Sequence, residues 1–310
     1  MAELTGAQYL NYDVVAHRAV MLAQSWRASA PLLVLDEIHK MANWKSWLKG
    51  VVDGGAPDQQ LLVTGSARMD TFRQSGESLA GRHFRLRLHP LSVREWSEQM
   101  QTPPPVALTH LRARGGFPEP ALAASEDDAQ RWRNDYFAGM VREDVLEFSR
   151  LQEVNTMLLF AKMLRSRVGS PLSLASLSRD LSVSSVTLGK YLDILQALFI
   201  VFVVRPWRRN IARATLQAPK VYFYDTGLVQ GDEGVRFENL VACHLLKQVQ
   251  WQQDTRGAPA SLHYIRTKDE AEVDSCPSSG DTLMHLVECK LSDAKPHRTL
   301  ARFAEQWSQA

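Results

Sequence analysis

The 310-residue chain has only three cysteines, Cys243, Cys276 and Cys289, with no CxxC spacing among them. So low and odd a count argues against a disulfide framework and fits a reducing compartment. Long apolar runs are missing too: Leu198 to Val204 is among the longest, far short of the ~20 residues that span a bilayer. The opening Met-Ala-Glu-Leu-Thr has neither the basic start nor the apolar core of a secretory signal. No membrane partner and a cytoplasmic location are therefore expected. An excess of either charge is also absent, since 36 basic and 34 acidic residues leave a net +2. The molecule as a whole is no polycation that coats nucleic acid, although a local basic face remains open. With 45% hydrophobic residues the chain has too much apolar content for disorder. It shows no internal repeat.

What is present begins with an α/β pattern. Pro31-Leu-Leu-Val-Leu-Asp-Glu reads as a buried strand ending in two carboxylates, and Gln60-Leu-Leu-Val-Thr-Gly-Ser as a second ending in small residues. Strand, helix, strand at this spacing predicts a parallel sheet. The crossover helix carries Trp44, Trp47 and Leu48 at the spacing of a buried stripe. Four consecutive apolar residues bury the first strand on both faces, so Asp36 and Glu37 emerge at its carboxyl edge, where open α/β sheets bind ligands. A Walker B pair has this arrangement, with the Asp on Mg²⁺ and the Glu polarising an attacking water. A solvated acidic turn at a strand end has the same sequence.

The phosphate-binding loop that should accompany such a pair is missing. It needs glycines whose N–H groups wrap the phosphates and a lysine for the β/γ-phosphates. Gly6 is the one glycine before Asp36 and the first lysine is Lys40, so Gly-x-x-x-x-Gly-Lys-Ser/Thr cannot be fitted.

The series Leu35-Asp-Glu-Ile-His-Lys40, Trp44, Thr64-Gly-Ser66, Gly76-Glu-Ser-Leu-Ala-Gly-Arg82 and His89-Pro-Leu-Ser-Val-Arg-Glu95 resembles bacterial and archaeal AAA-type ATPases that carry a C-terminal domain of unknown function. The likeness runs through almost the whole chain. It implies ATP and Mg as the cofactors of intact relatives, with Asp36 on the metal and Glu37 as the catalytic carboxylate. It also implies Ser66 as the γ-phosphate sensor, and Arg82 as a phosphate-facing or intersubunit arginine. A surface arginine at a helix end fits Arg82 equally. By the same likeness Tyr9 to Asp13 is the second strand of the sheet, so the chain is expected to lack Walker A and to begin one βα unit late. The absent strand is central in that class of sheet. Two uncovered strand edges and poor ATP binding are expected to follow.

Thr-Pro-Pro-Pro at 102–105 reads as a break, followed by a helical stretch to about Arg150. Ten Lys/Arg against three Asp/Glu between 151 and 220 make that segment +7, so the remainder sums to −5. Leu172 to Leu181 predicts a short amphipathic helix, Ser182-Val-Ser-Ser a turn and N-cap, and Val186 to Leu198 a second helix. Phe199–Val204 and Lys220–Tyr224 then read as strands around a basic loop, completing a winged helix. In a DNA-binding reading Ser184, Ser185, Thr187 and Lys190 face outward on the second helix, while Arg208, Arg209 and Arg213 contact phosphates. A protein-docking winged helix with solvated arginines is the alternative.

Acidic residues gather in the last stretch. Glu238 lies near the start of an amphipathic helix, Leu262 to Arg266 reads as a strand, Glu272-Val-Asp274 opens another, and His285 to Lys290 reads as a third. Glu238, Asp274 and Glu288-x-Lys290 form the pattern of PD-(D/E)xK nucleases, in which carboxylates hold Mg²⁺ and the lysine positions the nucleophile. Asp274 and Glu288 are the metal candidates. Strand alternation puts Glu288 and Lys290 on one face. The histidines His244, His263 and His285 lack zinc spacing, and Cys243 and Cys289 read as small core residues.

The expected organisation is α/β throughout its sheets: a partial P-loop-type parallel sheet without Walker A over 1–104, a helical connector over 105–150, a winged helix over 151–226, and a PD-(D/E)xK-like α/β domain over 227–310. DNA or a protein is the expected partner. The function is open between an AAA-type ATPase relative with metal-dependent DNA cleavage at Glu238, Asp274, Glu288 and Lys290, a non-catalytic nucleic-acid or protein-binding module, and a non-functional fragment.

Overall fold

The computed structural model describes residues 6–55, 58–65, 79, 81–146, 151–207, 218–267, 271–292 and 298–308. The chain divides into two compact units between Phe84 and Arg85.

The N-terminal unit is a three-stranded parallel sheet, β1 (Gln8–Asn11), β2 (Leu32–Asp36) and β3 (Gln60–Val63), in the order β1-β2-β3. Helix α1 (Val15–Ala23) links the first two strands, and α2 (Trp44–Gly54) links the second and third. Leu33, Leu35, Met21, Ile38, Trp44 and Leu48 form one buried cluster, with Trp47 partly buried against it. The expected stripe on α2 therefore faces the sheet. Among the described residues β1 and β3 are the outer strands of this sheet, each paired on one side. Leu32 to Leu35 pair directly and in register with Gln60 to Val63. Direct pairing satisfies backbone N–H and C=O groups that a gap would leave orphaned.

The C-terminal unit opens with helices α3 (Val93–Met100), α4 (Pro104–Arg114), α5 (Pro118–Leu122), α6 (Glu126–Leu146) and α7 (Leu151–Leu164). The prolines at 103–105 start α4, where a missing N–H costs nothing. Two short helices follow, α8 (Leu174–Leu181) and α9 (Ser185–Ala197). Each has a serine N-cap: Ser173 accepts from Ser176 N–H, and Ser184 from Thr187 N–H.

A five-stranded sheet carries the rest: β4 (Val201–Pro206), β5 (Lys220–Phe223), β6 (Ala260–Arg266), β7 (Glu272–Ser279) and β8 (Thr282–Leu283), in the order β5-β4-β6-β7-β8. The long helix α10 (Glu233–Arg256) packs on it, as does α11 (Arg298–Ser308) through Phe303 and Leu300. Strand β4 runs antiparallel to β5 and parallel to β6. The hairpin after the helix-turn-helix is thus part of the sheet that bears the acidic residues.

The third strand expected at His285 to Lys290 is not regular. Beyond β8, the segment makes one isolated bridge, Val287 to Ser275. The Cys289 N–H turns to the Asp274 carboxylate, Oδ2 at 2.8 Å, instead of extending a ladder.

A buried ion pair ties the helices to the sheet. Arg133 on α6 is 1% exposed, and its Nε lies 3.6 Å from Oδ2 of Asp225, which follows β5. Arg133 also donates to the Arg114 carbonyl at 2.9 Å. Gly115 is required beside them: its φ is +74°, and a Cβ there would sit 1.6 Å from Asp225 Oδ1.

Candidate functional site

In the N-terminal unit, register brings Asn11, Asp36 and Thr64 to one end of the parallel sheet. Asn11 pairs with Asp36 across β1 and β2, and Thr64 follows β3. The Asp36 carboxylate accepts four hydrogen bonds, two on each oxygen. Thr64 Oγ1 (2.5 Å) and the Glu37 N–H (3.1 Å) donate to Oδ1. Tyr9 O–H (2.5 Å) and Asn11 Nδ2 (3.0 Å) donate to Oδ2. Partial burial alone would raise the Asp36 pKa, but the bonds from Thr64, Tyr9, Asn11 and Glu37 outweigh it and hold it below the usual value.

Glu37 adopts a left-handed backbone at φ +56° and turns its carboxylate to Lys40 at 3.1 Å and His39 at 3.7 Å. A carboxylate has about four lone-pair positions, and all four on Asp36 are taken. In this arrangement Asp36 and Glu37 do not fit a magnesium ion. Arg82 is paired elsewhere, its Nε 3.1 Å from Asp53 Oδ1. Ser66 lies outside the described residues.

The C-terminal carboxylates converge on a residue that sequence reasoning counted only as positive charge. Lys220, the first residue of β5, is 0% exposed. Its Nζ lies 2.5 Å from Glu272 Oε1, 3.3 Å from Glu238 Oε1 and 4.0 Å from Asp274 Oδ1. The Tyr264 ring lies beneath it at 5.4 Å. Burial alone would lower the Lys220 pKa, but the three carboxylates raise it, so the ammonium stays charged. The Glu238 pKa is raised as well, in its case disfavouring the charged form, because burial and Asp274 outweigh the attraction of Lys220 and the bond from Tyr222 O–H at 2.7 Å.

Lys290 Nζ is 2.9 Å from Glu288 Oε1, although neither residue lies in a regular strand. Arg266 Nη1 lies 3.2 Å from Glu272 Oε2. Four carboxylates thus meet three built-in cations. Among the described residues no group of three or more His, Cys, Asp or Glu side chains is set to hold a metal ion. The cluster as folded does not fit the expected Mg²⁺ at Asp274 and Glu288.

Sequence reasoning missed Lys220, Glu272 and Tyr222. Glu272 carried a usable signal, because it stands two residues before Asp274 on one strand and so shares its face. His244 is structural: its Nδ1 bonds the Leu240 carbonyl at 2.7 Å, and its Nε2 accepts the Val93 N–H at 2.9 Å.

On α9, Leu188, Tyr191, Leu192 and Leu195 are buried, whereas Ser184, Ser185 and Lys190 are exposed and Thr187 is half-buried. Ser184 and Thr187 also bond each other through their hydroxyls at 2.8 Å. Val186 stands 70% exposed at the same end. Arg208, Arg209 and Arg213 lie outside the described residues.

Three family models match the chain. Residues 4–97 match an AAA domain, 107–235 a domain of unknown function (DUF8612), and 233–309 another domain of unknown function (DUF4143). An uncharacterized protein of Mycobacterium tuberculosis is 30% identical over 249 residues, 78% of this chain and 55% of that protein. One from Haemophilus influenzae is 21% identical over 305 residues, covering 90% of this chain and 73% of that protein. One from Methanocaldococcus jannaschii is 20% identical over 210 residues, 62% and 46% of the two. The chain spans about half the length of the mycobacterial relatives it matches. Its N-terminal part is therefore similar to AAA domains, which as a family bind ATP and Mg. No described helix is long and apolar enough to cross a membrane.

Proposed function

We propose that this chain is a non-cleaving nucleic-acid-binding module of AAA type, whose helix-turn-helix and hairpin act as a winged helix on DNA beside a PD-(D/E)xK-like scaffold. One observation carries the reading: α9 buries Leu188, Tyr191, Leu192 and Leu195, and leaves Ser185 in its first turn and Lys190 in its second exposed. An N-terminal helix turn presented in this way is how such motifs enter a major groove. The basic loop with Arg208, Arg209 and Arg213 supplies further phosphate contacts. Internal pairing of the acidic residues supports binding without cutting.

Binding of duplex DNA, followed by anisotropy across a salt series, should weaken as salt rises. Lys190→Ala should reduce the log–log slope by about one, and Arg208→Ala/Arg209→Ala by about two. The protein should not nick plasmid DNA with Mg²⁺ or Mn²⁺. Metal-dependent nicking that disappears in Asp274→Ala would restore the nuclease reading. The exposed Val186 favours a second reading, docking of the same helix on a protein; absence of DNA binding at low salt would select it.

In the N-terminal unit, the four donors on Asp36 support a site that does not turn over nucleotide. ATP hydrolysis by this chain should stay at background. Clear Mg-dependent turnover lost in Glu37→Gln would contradict that.

A further inference from the structure

Oxygen ligands that converge on one point usually surround a metal ion, and here they surround an amine. The three carboxylates come from two elements, Glu238 from α10 and Glu272 and Asp274 from β7, and their oxygens reach Lys220 Nζ at 3.3, 2.5 and 4.0 Å. Other groups help hold this geometry. Gly169, at φ +74°, lies so close that a Cβ would come 2.8 Å from Glu238 Oε1. Tyr222 O–H donates to the same Glu238 oxygen, and the second Asp274 oxygen accepts the Cys289 N–H. The carboxylates are therefore positioned by the fold as well as by the lysine.

An ammonium and a small divalent ion compete for such a place by charge and by distance. Mg²⁺ needs oxygens at about 2.0–2.1 Å and Ca²⁺ at about 2.3–2.6 Å, in larger number than one amine requires. A tethered, buried lysine excludes both by repulsion at contact range.

We infer that Lys220 is a built-in replacement for a divalent cation, and that Glu238, Glu272 and Asp274 form a latent hard-cation site that its removal opens. The ligand class is an oxygen-seeking divalent ion such as Mn²⁺, Mg²⁺ or Ca²⁺, since the three groups that reach Lys220 Nζ are all carboxylates. The inference rests on the reading of this cluster as non-cleaving and extends it to the residue responsible.

The test is Asp274-dependent Mn²⁺ binding by the full chain, read from the loss of the free-ion electron paramagnetic resonance signal with no DNA present. Wild type should show none. Lys220→Ala should bind Mn²⁺ at least about tenfold more tightly than wild type, because a unit charge is removed at contact range, and Lys220→Ala/Asp274→Asn should lose that binding. Lys220→Met, which keeps the bulk of the stem without the charge and leaves all three carboxylates in place, is the second variant in case Lys220→Ala does not fold. It should also bind more tightly than wild type. Mn²⁺ bound by wild type and lost in Asp274→Asn would overturn the inference. So would a folded Lys220→Ala or Lys220→Met that binds no better than wild type. Plasmid nicking is a separate readout, so failure of the non-cleaving reading would be seen independently of these results.

Discussion

Asp225→Ala should lower the stability of the C-terminal unit by about 3–5 kcal/mol, the usual result of removing one partner from a buried ion pair. Asp225 is 2% exposed and Arg133 1%. Burial pushes the Asp225 carboxyl up to about 6, against the pull of Arg133, the Gly227 N–H and Arg165. That upward direction shows a charge held at a desolvation cost. Removing it leaves the guanidinium with the Arg114 carbonyl, Gln130 and the exposed Glu126. Asp225→Asn keeps an acceptor for Gly227 N–H and should cost less. Urea unfolding of the full chain and both variants checks the order, and a loss below about 1 kcal/mol in Asp225→Ala would show that the pair is not needed.

Asn239→Ala should cost about 2–4 kcal/mol, since it orphans a buried backbone donor and leaves a small void. Asn239 is 0% exposed on α10 and treats β5 as a neighbouring strand would. Its Oδ1 accepts the Phe223 N–H at 2.8 Å, and its Nδ2 donates to the Phe223 carbonyl at 2.9 Å and to Thr226 Oγ1 at 3.0 Å. Cys243 Sγ also donates to that carbonyl, at 3.1 Å, so the N–H is the group left without a partner. Asn239→Asp provides the discriminating comparison. It keeps the acceptor for the N–H but sets an oxygen against the Phe223 carbonyl, so it should be no milder than alanine. If Asp proved as stable as Asn, the donor half of the clamp would carry no weight. Hydrogen exchange at Phe223 is the direct readout.

Both residues show where sequence reading stops. Local periodicity reveals the buried strand before Asp36, the α2 stripe and the two helices around Ser182, because each is written in neighbouring residues. The pairing of Arg133 with Asp225 joins positions 92 apart and has no local pattern. Lys220 shows the limit more sharply. Its charge belongs to the +7 segment, yet in the fold it is spent on three carboxylates. Arg165, also in that segment, gives its Nε to the Leu228 carbonyl at 2.6 Å and is half-buried. A charge count thus overstates the basic surface. The acidic pattern Glu238, Asp274 and Glu288-x-Lys290 was legible as a set, but the cation among the carboxylates was not.

The arrangement around β4 has a consequence for descent. The match to one family model ends at 235 and the next begins at 233, just where α10 starts. That junction looks like a natural place for recombination, yet Lys220 lies before it and Glu238, Glu272 and Asp274 after it. Strands β4 and β6, one on each side, are hydrogen-bonded neighbours. A crossover there would leave one parent's buried ammonium facing another parent's carboxylates, and an unmatched strand edge between them. The two matched regions are halves of one sheet with one shared charge balance.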